Sequence, residues 1–275
     1  MQGIYVFAAG GRCLGRLNSN NPEAVAGVLE RALEKWEQVA EIERRLPDDS
    51  PVGSGHRWEN GYPDGGLVLE RIARDLPDSL EPRDAPLRPF NRDQVWFSAA
   101  EARRWLPDAI RVGEQHAVPE RLGHRLARFH LVDNVRGQTI PYSEPEVEAS
   151  LRAEVTAVED GAAHIRISGV VRATALGPWL GGDNYWKPRR EWPHAITTAL
   201  HGQARYDLER GEFSSFDLVA LGARRGRTVM NGRSRDNDGE DHPIGFVFSI
   251  APAGLRVAPT FINVYNADWV QHPGG

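Results

Sequence analysis

The sequence predicts an α+β fold: a large bent antiparallel sheet packed on a helix, with a small N-terminal β-β-α segment. Three observations point there. From about Glu146 onward, apolar and polar residues alternate with a period of two, as in "VEASLRAEVTAVEDGAAHIRISGVVRATA". Short turn signals such as Glu159-Asp160-Gly161 separate these runs, so successive strands are joined locally and pair antiparallel. The stretch "PERLGHRLARFHL", residues 119–131, carries Leu122, Leu126 and Phe129 at helical spacing with His130 beside them, and it forms a plug for the sheet's concave side.

Taken in order, "GIYVFAAGGRCLGRLN" reads as a hairpin of two short strands around Ala-Gly-Gly-Arg. Asn21-Pro22 then opens a helix, Asn as N-cap and Pro in the first turn, with Val25, Leu29, Ala32, Leu33, Trp36 and Ala40 as its apolar stripe. Pro47 ends it. Cys13 falls in the second strand, where it reads as a small core hydrophobe. "DDSPVGSGHRWEN" is a linker or surface loop, giving domains over 1–47 and 60–275. "GGLVLERIARDLP" reads as a strand, and the proline-studded stretch 77–89 as irregular. Ser98-Ala-Ala-Glu101 is a capping box that opens a short helix. Beyond residue 146, "PIGFVFSIAP" and "PTFINVYNADWV" read as the last two strands.

The hairpin "HAITTALHGQARYDLERGEFSSFDLVALG", 194–222, can be paired residue by residue. Placing Gly211 last in a three-residue loop opposes Leu208 to Glu212, Tyr206 to Ser214, Ala204 to Phe216 and Leu200 to Ala220, the apolar face. The same count puts Asp207 across from Phe213, Arg205 from Ser215, Gln203 from Asp217 and His201 from Val219. His201 and Arg205 become the diagonal neighbours of Asp217.

Two resemblances accompany these patterns. The β-β-α order of residues 3–45 resembles the final portion of a thioredoxin-like fold; the CxxC of that family has no counterpart, so redox activity does not carry over. The phrases "PDGGLVLE", "FNRDQVWFS", "RFHLVDNVRGQTIP" and "GQARYDLERGEFSSFDLVALG", in this order, resemble an uncharacterised group of bacterial proteins. In that group a thioredoxin-like segment precedes a β-rich domain. The resemblance implies an α+β domain and no particular activity.

The chain's 275 residues, 40% of them hydrophobic, suffice to hide roughly three quarters of the unfolded surface without staples. A net charge of −5 gives no reason to expect nucleic acid or an anionic membrane as partner. A single cysteine excludes an intrachain disulfide, a CxxC pair and an all-cysteine metal site. No apolar run approaches the roughly 20 residues of a membrane span, and the first residues lack a basic region followed by a long apolar stretch, so a cytoplasmic location is expected. No nucleotide-binding glycine loop, GxSxG or HExxH is present, so no organic cofactor is expected.

Four clusters could carry function. His201, Asp217 and Arg205 form a trio able to move protons, or else a solvated face with a cross-strand ion pair. His130, Asp133 and Arg136, with Asn134, make a polar corner where the helix ends, with Arg136 as a forked anion-binding group. Tyr185, Trp186, Trp192 and His194 lie in a proline-interrupted loop suited to ligand contact. Asp236, Asp238 and Asp241 are acidic enough for Ca²⁺, without the EF-hand spacing. Two function classes follow: binding of a small molecule or peptide in a groove between helix 119–131, the sheet and loop 183–194; or a cofactor-independent enzyme using His201, Asp217 and Arg205, with metal binding as a further alternative. The sequence leaves the oligomeric state open.

Overall fold

The computed structural model describes residues 3–46, 58–77, 90–181, 188–228, 231–233 and 239–272, with the side chains of 177–192 left undescribed. It divides into two compact units, Met1–Arg57 and Trp58–Gly275. In the first, β1 (Ile4–Phe7) pairs antiparallel with β2 (Cys13–Leu17), followed by α1 (Pro22–Glu37) and α2 (Glu41–Arg44). Asn21 caps α1, its Oδ1 accepting the Ala24 N–H at 2.9 Å.

Three expectations fail in this unit. Helix α1 ends at Glu37, with Gln38 as its C-cap, well before Pro47. The buried stripe of α1 is Val28 and Ala32, with Trp36 partly covered, whereas Leu29 and Leu33 stand 45% and 64% exposed. The strand decides this: a Cβ at Gly15 would lie 3.2 Å from the Val28 side chain, so the helix rests on β2 through that side. Cys13 is exposed rather than buried. A register shift opposes Val6 to Gly15 and Phe7 to Cys13, so Leu14 is the extra residue of a bulge; Leu14 turns inward and Cys13 outward.

In the second unit, a 3₁₀ turn (Trp58–Gly61) precedes β3 (Leu67–Asp75), β4 (Phe90–Phe97), α3 (Ala99–Arg103), β5 (Gln115–Ala117) and α4 (Glu120–Arg125). Helix α4 continues into a π-helical turn, Leu126–His130, closed by the Leu131 N–H on the Leu126 carbonyl at 2.8 Å. Then come β6 (Val147–Glu159), β7 (Ala162–Gly181), β8 (Pro188–Asp207), β9 (Glu212–Arg225), β10 (Asp241–Ile250), a 3₁₀ turn (Ile262–Val264) and α5 (Asp268–Gln271). The eight strands form one antiparallel sheet in the order β4-β3-β10-β9-β8-β7-β6-β5.

The sheet curls round the helix. The π-helical turn touches β4 at one end of the strand order and both β6 and β7 near the other. The curl depends on glycine where strands crowd one another. A Cβ at Gly222 in β9 would fall 1.9 Å from the Thr197 carbonyl oxygen, and one at Gly202 in β8 would fall 2.5 Å from that of Asp217. The concave side is filled: Leu122, Leu126 and Ala127 bury against Leu69, Phe97, Leu151, Ile167, Leu200, Phe216, Leu218 and Phe248 in one apolar cluster. Ser98 caps α3 as a capping box, its Oγ accepting the Glu101 N–H at 3.2 Å while a Glu101 carboxylate oxygen accepts the Ser98 N–H at 3.1 Å.

The hairpin pairs as counted from Leu200 opposite Ala220 to Arg205 opposite Ser215. Nearer the turn it differs. Tyr206 pairs with Phe213 and Asp207 with Glu212, leaving Ser214 as a bulge, and the loop is four residues long, closed by the Gly211 N–H on the Asp207 carbonyl. Asp207 stabilises that longer loop by accepting the N–H groups of Glu209 and Arg210 at 3.0 and 2.9 Å. The bulge turns Phe213 to the apolar side, edge-on to Tyr206 and Phe216.

The stretch 259–270 is not a strand. Phe261, Tyr265 and Trp269 recur every four residues, and the segment folds as the 3₁₀ turn and α5. Val68 and Trp96 face away from the concave side, and Ile262, Tyr265 and Val270 cover them together with Phe129. The chain thereby wraps β4, the edge strand, instead of extending the sheet. No helix among the described residues is long and apolar enough to cross a membrane.

Because the Gly222 clash is with backbone, Gly222→Ala should destabilise the protein by about 3 kcal/mol or prevent folding. Urea unfolding monitored by tryptophan fluorescence measures this; an unchanged midpoint would show that the neighbouring strand yields freely.

Candidate functional site

At one end of the concave side, the interior changes from apolar to ionic. Strand β3 begins this change. Leu69, Arg71, Ala73 and Asp75 alternate onto the inner face, so a guanidinium and a carboxylate sit where the period demands apolar groups. Asn91 and Asp93 follow from β4, Arg224 from β9, Arg233 from the segment 231–233, and His130 to Arg136 from the end of the helix.

Arg233 is shared between two carboxylates. Its Nη1 and Nη2 donate to Asp75 at 2.8 and 2.6 Å; its Nε and Nη2 donate to Asp133 at 3.0 and 2.7 Å. Arg136 adds a bond from Nε to Asp75 at 2.8 Å, Asn231 donates to Asp133 at 3.3 Å, and the Arg224 Nε lies 3.7 Å from Asp133. Burial alone would raise the Asp75 carboxyl; the hydrogen bonds and charges of Arg233 and Arg136 outweigh it and hold Asp75 below the usual carboxylate range.

Asp93 is a second hub. One oxygen accepts the Thr260 N–H and hydroxyl at 2.8 and 3.0 Å; the other lies 3.3 Å from His130 Nδ1 and 3.7 Å from Arg71 Nη2. The other ring nitrogen of His130 meets the Tyr265 hydroxyl. Burial dominates the ring and holds its pKa below the ordinary histidine value despite the pull of Asp93. Burial likewise raises Tyr265. With both nitrogens engaged and no exposed surface, His130 acts as a structural link between β4 and the C-terminal segment.

Arg71 is wholly buried. Its Nη1 donates to Asn91 Oδ1 at 3.2 Å and to Asn134 Oδ1 at 3.1 Å, while its Nε and Nη2 have no hydrogen-bond partner among the described residues. Burial brings its pKa down to about 10, against the opposing influence of Asp93. In front of Asn91 and Asn134 lies a cleft of about 460 Å³, lined also by Val135, Gly137, Gln138, Thr139, Thr260 and Phe261. Thr139 is nine-tenths buried and its hydroxyl has no partner among the described residues. The described side chains of the lining are all uncharged.

The predicted corner is therefore assembled, with altered roles. His130 and Asp133 are buried beneath the cleft, and Arg136 is half-exposed and pairs singly with Asp75; the forked contact belongs to Arg233. His194 is buried, stacked on Tyr142 with ring centroids 4.9 Å apart and its Nε2 3.4 Å from the Tyr142 hydroxyl; burial lowers its pKa to about 4. Tyr185 and Trp186, and the side chain of Trp192, lie outside the described residues, as do Asp236 and Asp238. Asp241 is exposed and pairs with Arg225 across the strands at 2.8 Å. No three His, Cys, Asp or Glu side chains gather as a metal-ligand set among the described residues.

His201, Arg205 and Asp217 share the outer face of the sheet, His201 and Arg205 each diagonal to Asp217 as the pairing requires. His201 and Arg205 line a shallow groove of about 580 Å³ with His164, Arg166, Ser168 and Gln203, and Asp217 lies outside it. Arg205 donates to Ser214 Oγ at 3.2 Å, and no hydrogen bond or ion pair joins the three among the described residues.

Arg71, Asp75, Asn91, Asp93, Thr139, Thr260, Arg233 and Tyr265 escaped the sequence reading. The signal for the first two was present, since Arg71 and Asp75 keep the parity of Leu69 and Ala73 in "LVLERIARD". Comparison with protein-family models, with curated proteins and with solved structures finds no match.

Two consequences can be measured. Arg233→Met leaves two buried carboxylates without their shared cation and should cost about 3–5 kcal/mol in denaturant unfolding. His194 has a folded pKa below its unfolded one, so its contribution is complete above about pH 6.5 and is lost as pH falls toward 4, by about 3 kcal/mol at most. Urea midpoints at pH 7 and 4.5 should drop for the wild type and drop less for His194→Phe; equal drops would remove His194 as a source.

Proposed function

We propose that the protein binds a small polar molecule in the cleft at the end of the α4 helix. The bulk of the concave side is packed with side chains, and among the described residues an open cleft lies at the end of the helix, lined by Asn91, Asn134, Val135, Gly137, Gln138, Thr139, Thr260 and Phe261. One observation carries the reading: Arg71 Nη1 holds the oxygens of Asn91 and Asn134 together. In a planar amide the NH₂ group points away from the oxygen, so fixing both oxygens on the guanidinium turns both NH₂ groups away from it, toward the cleft. Two donors are thus held in place before any ligand arrives, which lowers the ordering cost of binding. The Thr139 hydroxyl supports the same reading, because it is buried without a partner among the described residues, at a cost in stability that a ligand's polar atom recovers once the side chain turns about χ1 to meet it. A space of about 460 Å³ suits a small molecule better than a peptide.

Thermal unfolding against a panel of organic acids, amides, polyols and nucleosides tests the proposal. A ligand at a hundred times its dissociation constant should add about 2.7 kcal/mol. Thr139→Val should weaken that ligand while stabilising the free protein by about 1 kcal/mol. A panel that shifts nothing, or a ligand indifferent to Thr139→Val, would count against the cleft.

A further inference from the structure

We infer that the molecule the cleft takes is a small carboxylate, bound through the NH₂ groups of Asn91 and Asn134 with Arg71 behind them as a positioning residue. This rests on the cleft being the binding site. Three features of its wall point to an anion. First, among the described residues the lining offers neutral donors and no carboxylate: Asn91, Asn134, Gln138 and Thr139, with the backbone of Gly137 between them. Thr260, the other hydroxyl in the lining, already gives both its donors to Asp93.

Second, the two asparagines are polarised. An amide whose oxygen accepts from a cation has more positive NH₂ hydrogens, so each becomes a stronger donor toward negative charge. Both accept from the same buried guanidinium, at 3.2 and 3.1 Å. Third, Arg71 itself is incompletely compensated. Among the described residues its nearest carboxylate, Asp93, lies 3.7 Å away and is shared with His130 and Thr260, and two of its nitrogens have no hydrogen-bond partner. A negative charge just beyond the amides would interact favourably with that guanidinium in surroundings that screen it little.

The shape of the donor pair favours a carboxylate over a tetrahedral anion. Two amides that share one guanidinium nitrogen offer two NH₂ groups, one for each oxygen of a flat carboxylate. Arg71 touches no ligand in this scheme. Its role is to fix and charge the two amides that do.

Isothermal titration of the full chain with succinate, benzoate, succinamide, benzamide and inorganic phosphate tests the inference, with Asn91→Asp as the decisive variant. The wild type should bind a carboxylate at least about tenfold more tightly than its matching amide, and more tightly than phosphate. Asn91→Asp places a carboxylate beside Arg71. It should raise the melting temperature of the free protein and abolish carboxylate binding. Asn134→Leu, checked for folding by circular dichroism, should also cut carboxylate affinity about tenfold or more. Amides or phosphate binding as tightly as carboxylates, with sensitivity to Thr139→Val, would overturn the carboxylate assignment and leave the cleft standing. Absence of binding by every probe would overturn both.

Discussion

Arg233 donates four hydrogen bonds to two buried carboxylates, Asp75 on the inner face of β3 and Asp133 just past the helix. A carboxylate left at that depth without a cation would be costly; the guanidinium fork of Arg233 serves both at once, and the Arg224 Nε lies within 4 Å of each. Taking three charges out of water is costly, so the assembly adds little net stability compared with apolar packing of the same volume. What it specifies is position. The turn after the helix can dock on β3 in only one way, and that docking carries Asn134 to Arg71. The cleft wall is a consequence of the Arg233 contact.

The opposite wall is set by a separate device. β4 is the edge of the sheet, and an exposed edge is a liability that must be covered. The segment after β10 covers it with Trp96, Tyr265, Ile262 and Val270 in an apolar cluster, and two polar bonds fix its register: Thr260 on Asp93, and Tyr265 on His130. Both converge on groups that also face Arg71. The edge cover and the cleft therefore share parts, and Thr260 and Phe261 reach the cleft because the chain is wrapping an edge strand.

How much of this could be read from the sequence depended on whether the deciding contact was local. The hairpin 194–222 was legible because alternation and one glycine turn fix register over many residues; it erred only where Asp207 stabilises a longer loop and Ser214 bulges. The capping box at Ser98 and the cap at Asn21 are local and came through intact. The stripe of α1 failed because β2, through Gly15, chooses which side of the helix is buried. Cys13 failed because a bulge reverses the facing of a strand residue. Residues 259–270 failed because β-branched and aromatic residues suit a strand, while the available surface was the face of β3 and β4. The site itself was half visible. The corner at His130, Asp133 and Arg136 is one sequence phrase; Asp75 and Arg233, which complete it, lie 158 residues apart.

The same residue types occur twice in this protein with opposite meaning. His201, Arg205 and Asp217 stand on the outer face, where water solvates each of them and nothing requires them to interact. His130, Arg71 and Asp93 stand inside, where each must find a partner or destabilise the fold. The interior set nearly succeeds: both oxygens of Asp93 are engaged, while among the described residues two nitrogens of Arg71 and the hydroxyl of Thr139 in the adjoining cleft stay without a hydrogen bond. An apolar residue at position 71 would avoid that cost. Retaining a buried cation behind two asparagines is a stability disadvantage that makes physical sense where the amides it orients have a ligand to hold.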